Sequence, residues 1–133
     1  MSVENVELVR SAFDAWNVEG PAALTDRAAE DVVWLEVSGW LESQGTEVRG
    51  RETLLGNLRT LFDAWDTYRL ELLEVHDAGE RVVAIVNERG RGRSSGVDVD
   101  SRWGYVITVA DGKLARIEAY RDPAAALAAA DLG

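Results

Sequence analysis

The helical and the extended hydrophobic patterns of this chain lie in separate halves, and this separation restricts the possible fold most strongly. In the first half, apolar residues recur at helical spacing, as in Val6, Val9, Phe13 and Trp16. The second half contains extended stretches joined by turn sequences, including Asp111-Gly112. Helices followed by consecutive hairpins predict an α+β fold, in which the helices pack on one face of a curved antiparallel sheet.

Turn and cap residues place the boundaries of these elements. The Gly20-Pro21 pair ends the first helix and begins a second one, which we expect to extend to about residue 30. The predicted order then continues with a strand at 32–37, a loop at 38–50, a third helix at 51–65, strands at 68–76, 81–89, 99–109 and 114–121, and a short alanine-rich helix after residue 123. A chain of 133 residues without repeat or linker predicts one domain, spanning 1–133.

Glu36 interrupts the apolar run VVWLEV at 32–37. Alternate residues of a strand face opposite ways, and here both faces are apolar, so the strand is expected to be covered on both sides. A carboxylate in that position must be paired, protonated or open to a cavity, because burying it bare is costly. Glu36 is therefore a candidate acid/base or ligand anchor. The alternative is a solvated strand end, or a pair with Arg49 or Arg51.

Composition excludes several classes of function. The net charge of −10 repels phosphate backbones and anionic bilayers, so we expect neither nucleic acid nor membrane as partner. There is no cysteine and only one histidine, and Asp98 and Asp100 lack a third candidate ligand, so no metal site is predicted. The short tract Arg89-Gly90-Arg91-Gly92-Arg93 reads as a hairpin end rather than as an RNA-binding segment. Without a signal pattern or a long apolar run, a cytoplasmic protein is expected.

The Asp111-Gly112 turn also predicts which side chains share a sheet face. It places Tyr105 opposite Glu118 and Trp103 opposite Tyr120. One face would then be large, aromatic and pocket-like, carrying Trp103, Tyr105, Ile107, Leu114, Glu118 and Tyr120. The other face is flatter and includes Val106 and Ile117, which would suit a homodimer interface.

Four segments in this order resemble the nuclear-transport-factor-two-like superfamily, and in particular its SnoaL-like (polyketide cyclase) branch. They are ENVELVR at 4–10, AEDVVW at 29–34, VRGRE at 48–52 and DGKL at 111–114, the last followed by Glu118 and Tyr120. The resemblance implies a curved, cone-shaped sheet wrapped by three helices around an apolar pocket, with dimerisation through the outer sheet face. Members of the superfamily include steroid isomerases, polyketide cyclases, epoxide hydrolases, dehydratases, non-catalytic ligand binders and assembly modules, so the fold alone does not decide the function.

The resemblance assigns roles to several residues. Glu36 matches the position of the general-base carboxylate of steroid isomerases, but the first-helix position that should donate to the oxyanion falls near Ala12 or Phe13, so isomerase activity is not expected. Tyr105 could serve as the late-strand donor, and Glu118 matches the late-strand acid of the cyclases, although an ordinary cross-strand pair would explain Glu118 equally well. The remaining candidates, Trp34, Trp65, Trp103, Tyr120 and Arg89, could bind a ligand, or could be core aromatics and a surface arginine.

Three hypotheses follow from the sequence. The first is an enzyme without a cofactor that transfers protons on a hydrophobic small molecule, with Glu36 or Glu118 as base and Tyr105 as donor. The second is a non-catalytic binder of an apolar ligand that uses the same tryptophans. The third is a dimeric scaffold with a vestigial pocket.

Overall fold

A six-stranded mixed sheet forms the framework of the protein in the computed structural model, which describes residues 2–36 and 46–132. The strand order across the sheet is β2-β1-β6-β5-β4-β3. The strands are β1 (Ala28–Glu36), β2 (Thr46–Arg49), β3 (Trp65–Ala78), β4 (Arg81–Gly92), β5 (Asp98–Ala110) and β6 (Lys113–Tyr120). Neighbouring strands run antiparallel except β1 and β6, which are parallel.

The helices lie on both faces of the sheet. They are α1 (Ser2–Glu19), α2 (Pro21–Thr25), α3 (Arg51–Asp63) and α4 (Pro123–Ala129). Side chains of the first three pack with the inner sheet face in the main hydrophobic core, whereas α4 packs against the outer face in a smaller cluster. The α+β fold with three helices in the N-terminal half is thus confirmed, and the sheet is mixed rather than wholly antiparallel. No helix in the described part of the chain is long and apolar enough to cross a membrane.

Three predicted boundaries differ, in each case because sheet pairing extends further than the local pattern indicates. The second helix ends at Thr25 instead of near residue 30, since the following residues enter β1, where Ala28 pairs with Leu114 of β6. The third helix ends at Asp63, and Trp65 begins β3 instead of completing the helical stripe. Within the predicted loop at 38–50, residues 46–49 form β2; residues 37–45 lie outside the described part of the chain.

The Asp111-Gly112 turn is confirmed, but the hairpin that it closes contains a register shift. Both residues have positive φ, 53° and 72°, as a tight hairpin turn requires. Ala110 pairs with Lys113 as predicted. Between Thr108 and Val109, however, the register is irregular: one extra residue of β6 shifts all later pairs of the hairpin by one position. Glu118 therefore pairs with Val106, and Tyr120 with Gly104, so the predicted partners Tyr105 and Trp103 were wrong. A shift of one residue moves a strand's side chains to the other face.

Both predicted interface residues need correction, Ile117 because of the same shift and Val106 because α4 covers it. Val106 is fully buried in the cluster that α4 covers, and Ile117 faces the opposite way, into the main core. Neither side chain is available to a partner on the outer sheet face. A homodimer through the uncovered part of that face stays a prediction.

Gly104 allows α4 to approach the sheet. A Cβ atom at Gly104 would lie 2.5 Å from the Cβ of Ala126 and 3.1 Å from the Cα of Pro123. Since α4 would have to move away, Gly104→Val is expected to lower the free energy of unfolding by about 1–3 kcal/mol in urea titrations. Gly56→Ala is the control, because a Cβ there meets nothing within 4 Å and alanine favours the helix by about 0.5–1 kcal/mol. Unchanged stability of the Gly104 variant would contradict this packing.

Candidate functional site

A cavity of about 410 Å³ lies between the N-terminal helices and the inner face of the sheet. This volume falls within the range of small-molecule sites, about 300–1,000 Å³. Its walls are mostly apolar, and seven of the lining residues are aromatic: Phe13, Trp16, Trp34, Trp65, Tyr68, Trp103 and Tyr105. Among the described lining residues the only charged ones are Glu36 and Glu88. The cavity is therefore mostly apolar, with two acidic side chains in its described wall.

Glu36 lies at the end of β1, where the strand pairs with Ala119 of β6. Its Oε2 atom is buried and has no hydrogen-bond partner among the described residues. Burial raises the pKa of this carboxyl group above its ordinary value of 4.5; a hydrogen bond with Trp34 lowers the pKa, the charge of Glu88 raises it, and Arg121 lowers it. The net result is a carboxyl group that keeps its proton to higher pH than an exposed glutamate does.

The arginines proposed as alternative partners of Glu36 make other contacts. The side chain of Arg49 is paired with Glu47, and Arg51 donates from Nη1 to the carbonyl oxygen of Ala28 at 3.3 Å. Arg121 instead lies near the cavity, with its guanidinium carbon 5.2 Å from the centre of the Trp103 ring.

Glu88 is the functional candidate that the sequence reasoning missed. Its Oε2 accepts a hydrogen bond from the Tyr68 hydroxyl at 2.5 Å, and its Oε1 accepts from Ser101 Oγ at 3.3 Å and Trp103 Nε1 at 3.2 Å. The alternation of side chains along β4 indicates that Glu88 faces the core. The even-numbered residues from Val82 to Val86 are buried on the inner face, and Glu88 is the next residue in that series. Three donors from two neighbouring strands hold this carboxylate in place.

Tyr105 lies on β5 deep in the cavity wall, with only 6% of its surface exposed. Its ring centre is 5.8 Å from that of Trp34 and 5.9 Å from that of Phe13. Burial, reinforced by the charges of Glu88 and Glu36, raises the pKa of its hydroxyl well above the usual range. Tyr105 therefore remains a proton-bearing donor. Tyr68 has a raised pKa for the same leading reason, but its hydroxyl is engaged by Glu88.

Three strands each contribute a tryptophan to the cavity wall: β1 contributes Trp34, β3 contributes Trp65 and β5 contributes Trp103. Trp65 packs directly on the backbone of β4: a Cβ atom at Gly90 would lie 2.8 Å from Cε3 of the indole ring. Only glycine leaves room for the ring in that position. The Nε1 atoms of Trp65 and Trp16 are buried without a hydrogen-bond partner in the described residues.

Three of the predicted site residues are not brought into this cavity. Glu118 accepts a hydrogen bond from Arg116 Nε at 3.2 Å, and Tyr120 packs against the cluster under α4. Both positions follow from the register shift in β6. Arg89 points away from the inner face, with 60% of its side chain exposed, and lies 3.9 Å from Asp100. The described residues include no group of three or more acidic or histidine side chains that could hold a metal ion, and the absence of a cofactor stays a prediction.

Comparison with known proteins gives a family match. The model of the SnoaL-like domain family matches residues 9–117. None of the proteins with curated descriptions matches the sequence.

Solved structures share the fold over nearly the whole chain. An NTF2-like protein from Burkholderia thailandensis is 27% identical, with a TM-score of 0.76 over 92% of this chain and 95% of that one. A Jannaschia protein classed among SnoaL-like polyketide cyclases is 20% identical, with a TM-score of 0.78 over 99% and 94%. A protein of ketosteroid-isomerase-like fold from Catenulispora acidiphila, solved in complex with trimethylamine, is 17% identical, with a TM-score of 0.75 over 96% and 94%.

Proposed function

Since this chain belongs to the SnoaL-like domain family, we propose that it binds a hydrophobic small molecule in the aromatic cavity and transfers a proton on it. Glu36 is the acid/base, and no cofactor takes part. One observation carries this proposal: Glu36 has a buried oxygen without a partner in the described residues, in the wall of a cavity large enough for a ligand. A carboxylate whose pKa is raised above its ordinary value is a stronger base than an exposed glutamate.

The side chains around Glu36 support a division of roles. As carboxylate, Glu36 would take a proton from a carbon next to a ligand carbonyl, and as carboxylic acid it would return that proton to another atom. Tyr105 would donate a hydrogen bond to the oxygen on which negative charge develops. Glu88, held by three donors, would fix Tyr68 and Trp103 and add the charge that raises the pKa of Glu36. The activity would be of an isomerase, cyclase or hydrolase type.

A non-catalytic binder is the second candidate. It is favoured by the engagement of Tyr68 and Trp103 with Glu88, which takes two donors away from a ligand, and by Ala12 and Phe13 on the α1 wall, which offer none. The Catenulispora neighbour was solved with trimethylamine, but at 17% identity that likeness carries the fold alone. The ligand class of this chain must be argued from its own cavity.

A titration of the glutamate side chains tests the acid/base role. We expect carbon-detected NMR of the free protein to show Glu36 titrating at higher pH than an exposed glutamate, because its carboxyl group is partly buried and lies near the charge of Glu88. Glu36→Gln identifies the resonance by removing it. If Glu36 titrates like an exposed glutamate, the acid/base proposal loses its basis and the binder is favoured.

A further inference from the structure

The cavity is negatively charged and strongly aromatic at the same place. Its two charged lining residues, Glu36 and Glu88, both act on Tyr105, and Glu88 raises the pKa of Glu36. No lysine, arginine or histidine is found among the described lining residues. The whole protein carries a net charge of −10, so the field outside the cavity has the same sign as the field within it.

Aromatic rings surround the two carboxyl groups. Tyr68 and Trp103 donate hydrogen bonds to Glu88, and Trp34 is hydrogen-bonded with Glu36. Ring faces attract cations, most strongly when the site is shielded from water. The protein already shows this contact at the cavity, where the Arg121 guanidinium lies over the ring of Trp103. The same wall that binds apolar groups is thus suited to a positive charge.

Other ligand charges fit less well. An anionic ligand would meet two carboxyl groups, and Arg121, whose charge acts on Glu36, is not among the described lining residues. A purely apolar ligand would fill the cavity but would add no donor for Oε2 of Glu36, which has no hydrogen-bond partner among the described residues, and this is unfavourable for a buried acceptor. A protonated amine avoids both problems. Its N–H group can donate to Oε2 of Glu36, and its positive charge is attracted by the glutamates and by the ring faces.

We propose that the cavity selects small molecules in which an apolar body carries a protonated amine, with the ammonium group between Glu36 and the rings of Trp34 and Trp103. This inference rests on the proposed function for the location of the ligand site, but it does not require catalysis. The ammonium group would also place a positive charge beside Glu36, in a wall whose described acidic side chains are the two glutamates.

Three probes of matched shape test the selectivity. N,N-dimethylbenzylamine is protonated near neutral pH, isobutylbenzene is its neutral isostere, and phenylacetate is an anion of similar size. We expect the amine to bind the full-length protein at least about tenfold more tightly than isobutylbenzene, and phenylacetate to bind most weakly, in titrations followed by tryptophan fluorescence. Equal or tighter binding of isobutylbenzene or phenylacetate would overturn the inference, and so would absence of amine binding.

Two variants that remove the same charge distinguish a contact in the cavity from the effect of the protein's net charge. Glu36→Gln should weaken binding of the amine by about tenfold and leave isobutylbenzene unchanged. Glu118→Gln removes the same charge on the outer face and should change neither. Equal weakening by both variants would assign the effect to the net charge and overturn the proposed contact. Because the NMR titration of Glu36 needs no ligand, the acid/base proposal and the amine proposal can fail independently.

Discussion

Replacing Glu88 by leucine is expected to lower the free energy of unfolding by about 2–4 kcal/mol, because three partly buried donors would lose their acceptor. The Tyr68 hydroxyl, Ser101 Oγ and Trp103 Nε1 all donate to this carboxylate. Leucine fills the space without accepting a hydrogen bond. Urea unfolding followed by circular dichroism measures the loss without depending on the environment of Trp103.

Two controls separate this network from a general effect of mutating β4. Arg89→Gln changes the next residue, which faces the other way and is largely exposed, and it should alter stability by no more than about 0.5 kcal/mol. Glu88→Gln keeps an acceptor oxygen and the side-chain shape but removes the charge. It should be milder than leucine and should lower the pKa of Glu36, since the charge of Glu88 raises that pKa. A leucine variant as stable as the glutamine variant would contradict the network.

The sequence was sufficient for those features that leave a local pattern. Helical periodicity predicted the first and third helices, the Gly20-Pro21 pair predicted the start of the second, and a two-residue turn predicted the β5–β6 hairpin. Alternation within the apolar run at 32–37 singled out Glu36, whose side chain lines the cavity. The inward direction of Trp103 and Tyr105 was also predictable, because the extra residue lies in β6 and leaves the alternation along β5 undisturbed.

Features that depend on pairing between distant strands could not be read in the same way. The irregularity near Val109 inserts one residue into β6 without a glycine or proline to mark it, and this alone moved Glu118 and Tyr120 to the outer face. The parallel pairing of β1 with β6 joins segments more than half the chain apart, and local pattern carries no signal for it. Glu88 is different: alternation along β4 did indicate its inward direction, and it was overlooked.

Replacing Glu36 by leucine is expected to stabilise the protein by about 1–2 kcal/mol near neutral pH, because an apolar side chain of similar volume replaces a partly buried carboxyl group, one oxygen of which has no hydrogen-bond partner among the described residues. The same change removes the group to which both proposed activities are assigned. Such a gain would indicate that Glu36 is retained for function and not for folding. Urea unfolding of wild type and variant measures the difference.

The pH dependence of that difference gives a sharper test, because its sign follows from the raised pKa of Glu36. Below the ordinary value of 4.5, folded and unfolded chains both hold the proton, so ionisation contributes nothing. Above this value Glu36 ionises in the unfolded chain but keeps its proton in the folded chain. The wild type therefore loses stability as the pH rises, until the pH passes the pKa of Glu36 in the folded chain. The advantage of the leucine variant should therefore grow from acidic to neutral pH and then level off.

Glu71→Leu, at an exposed position of β3, controls for added apolar surface. A constant advantage at all pH values, or a more stable wild type at neutral pH, would show that Glu36 is not held in an environment that disfavours its charge.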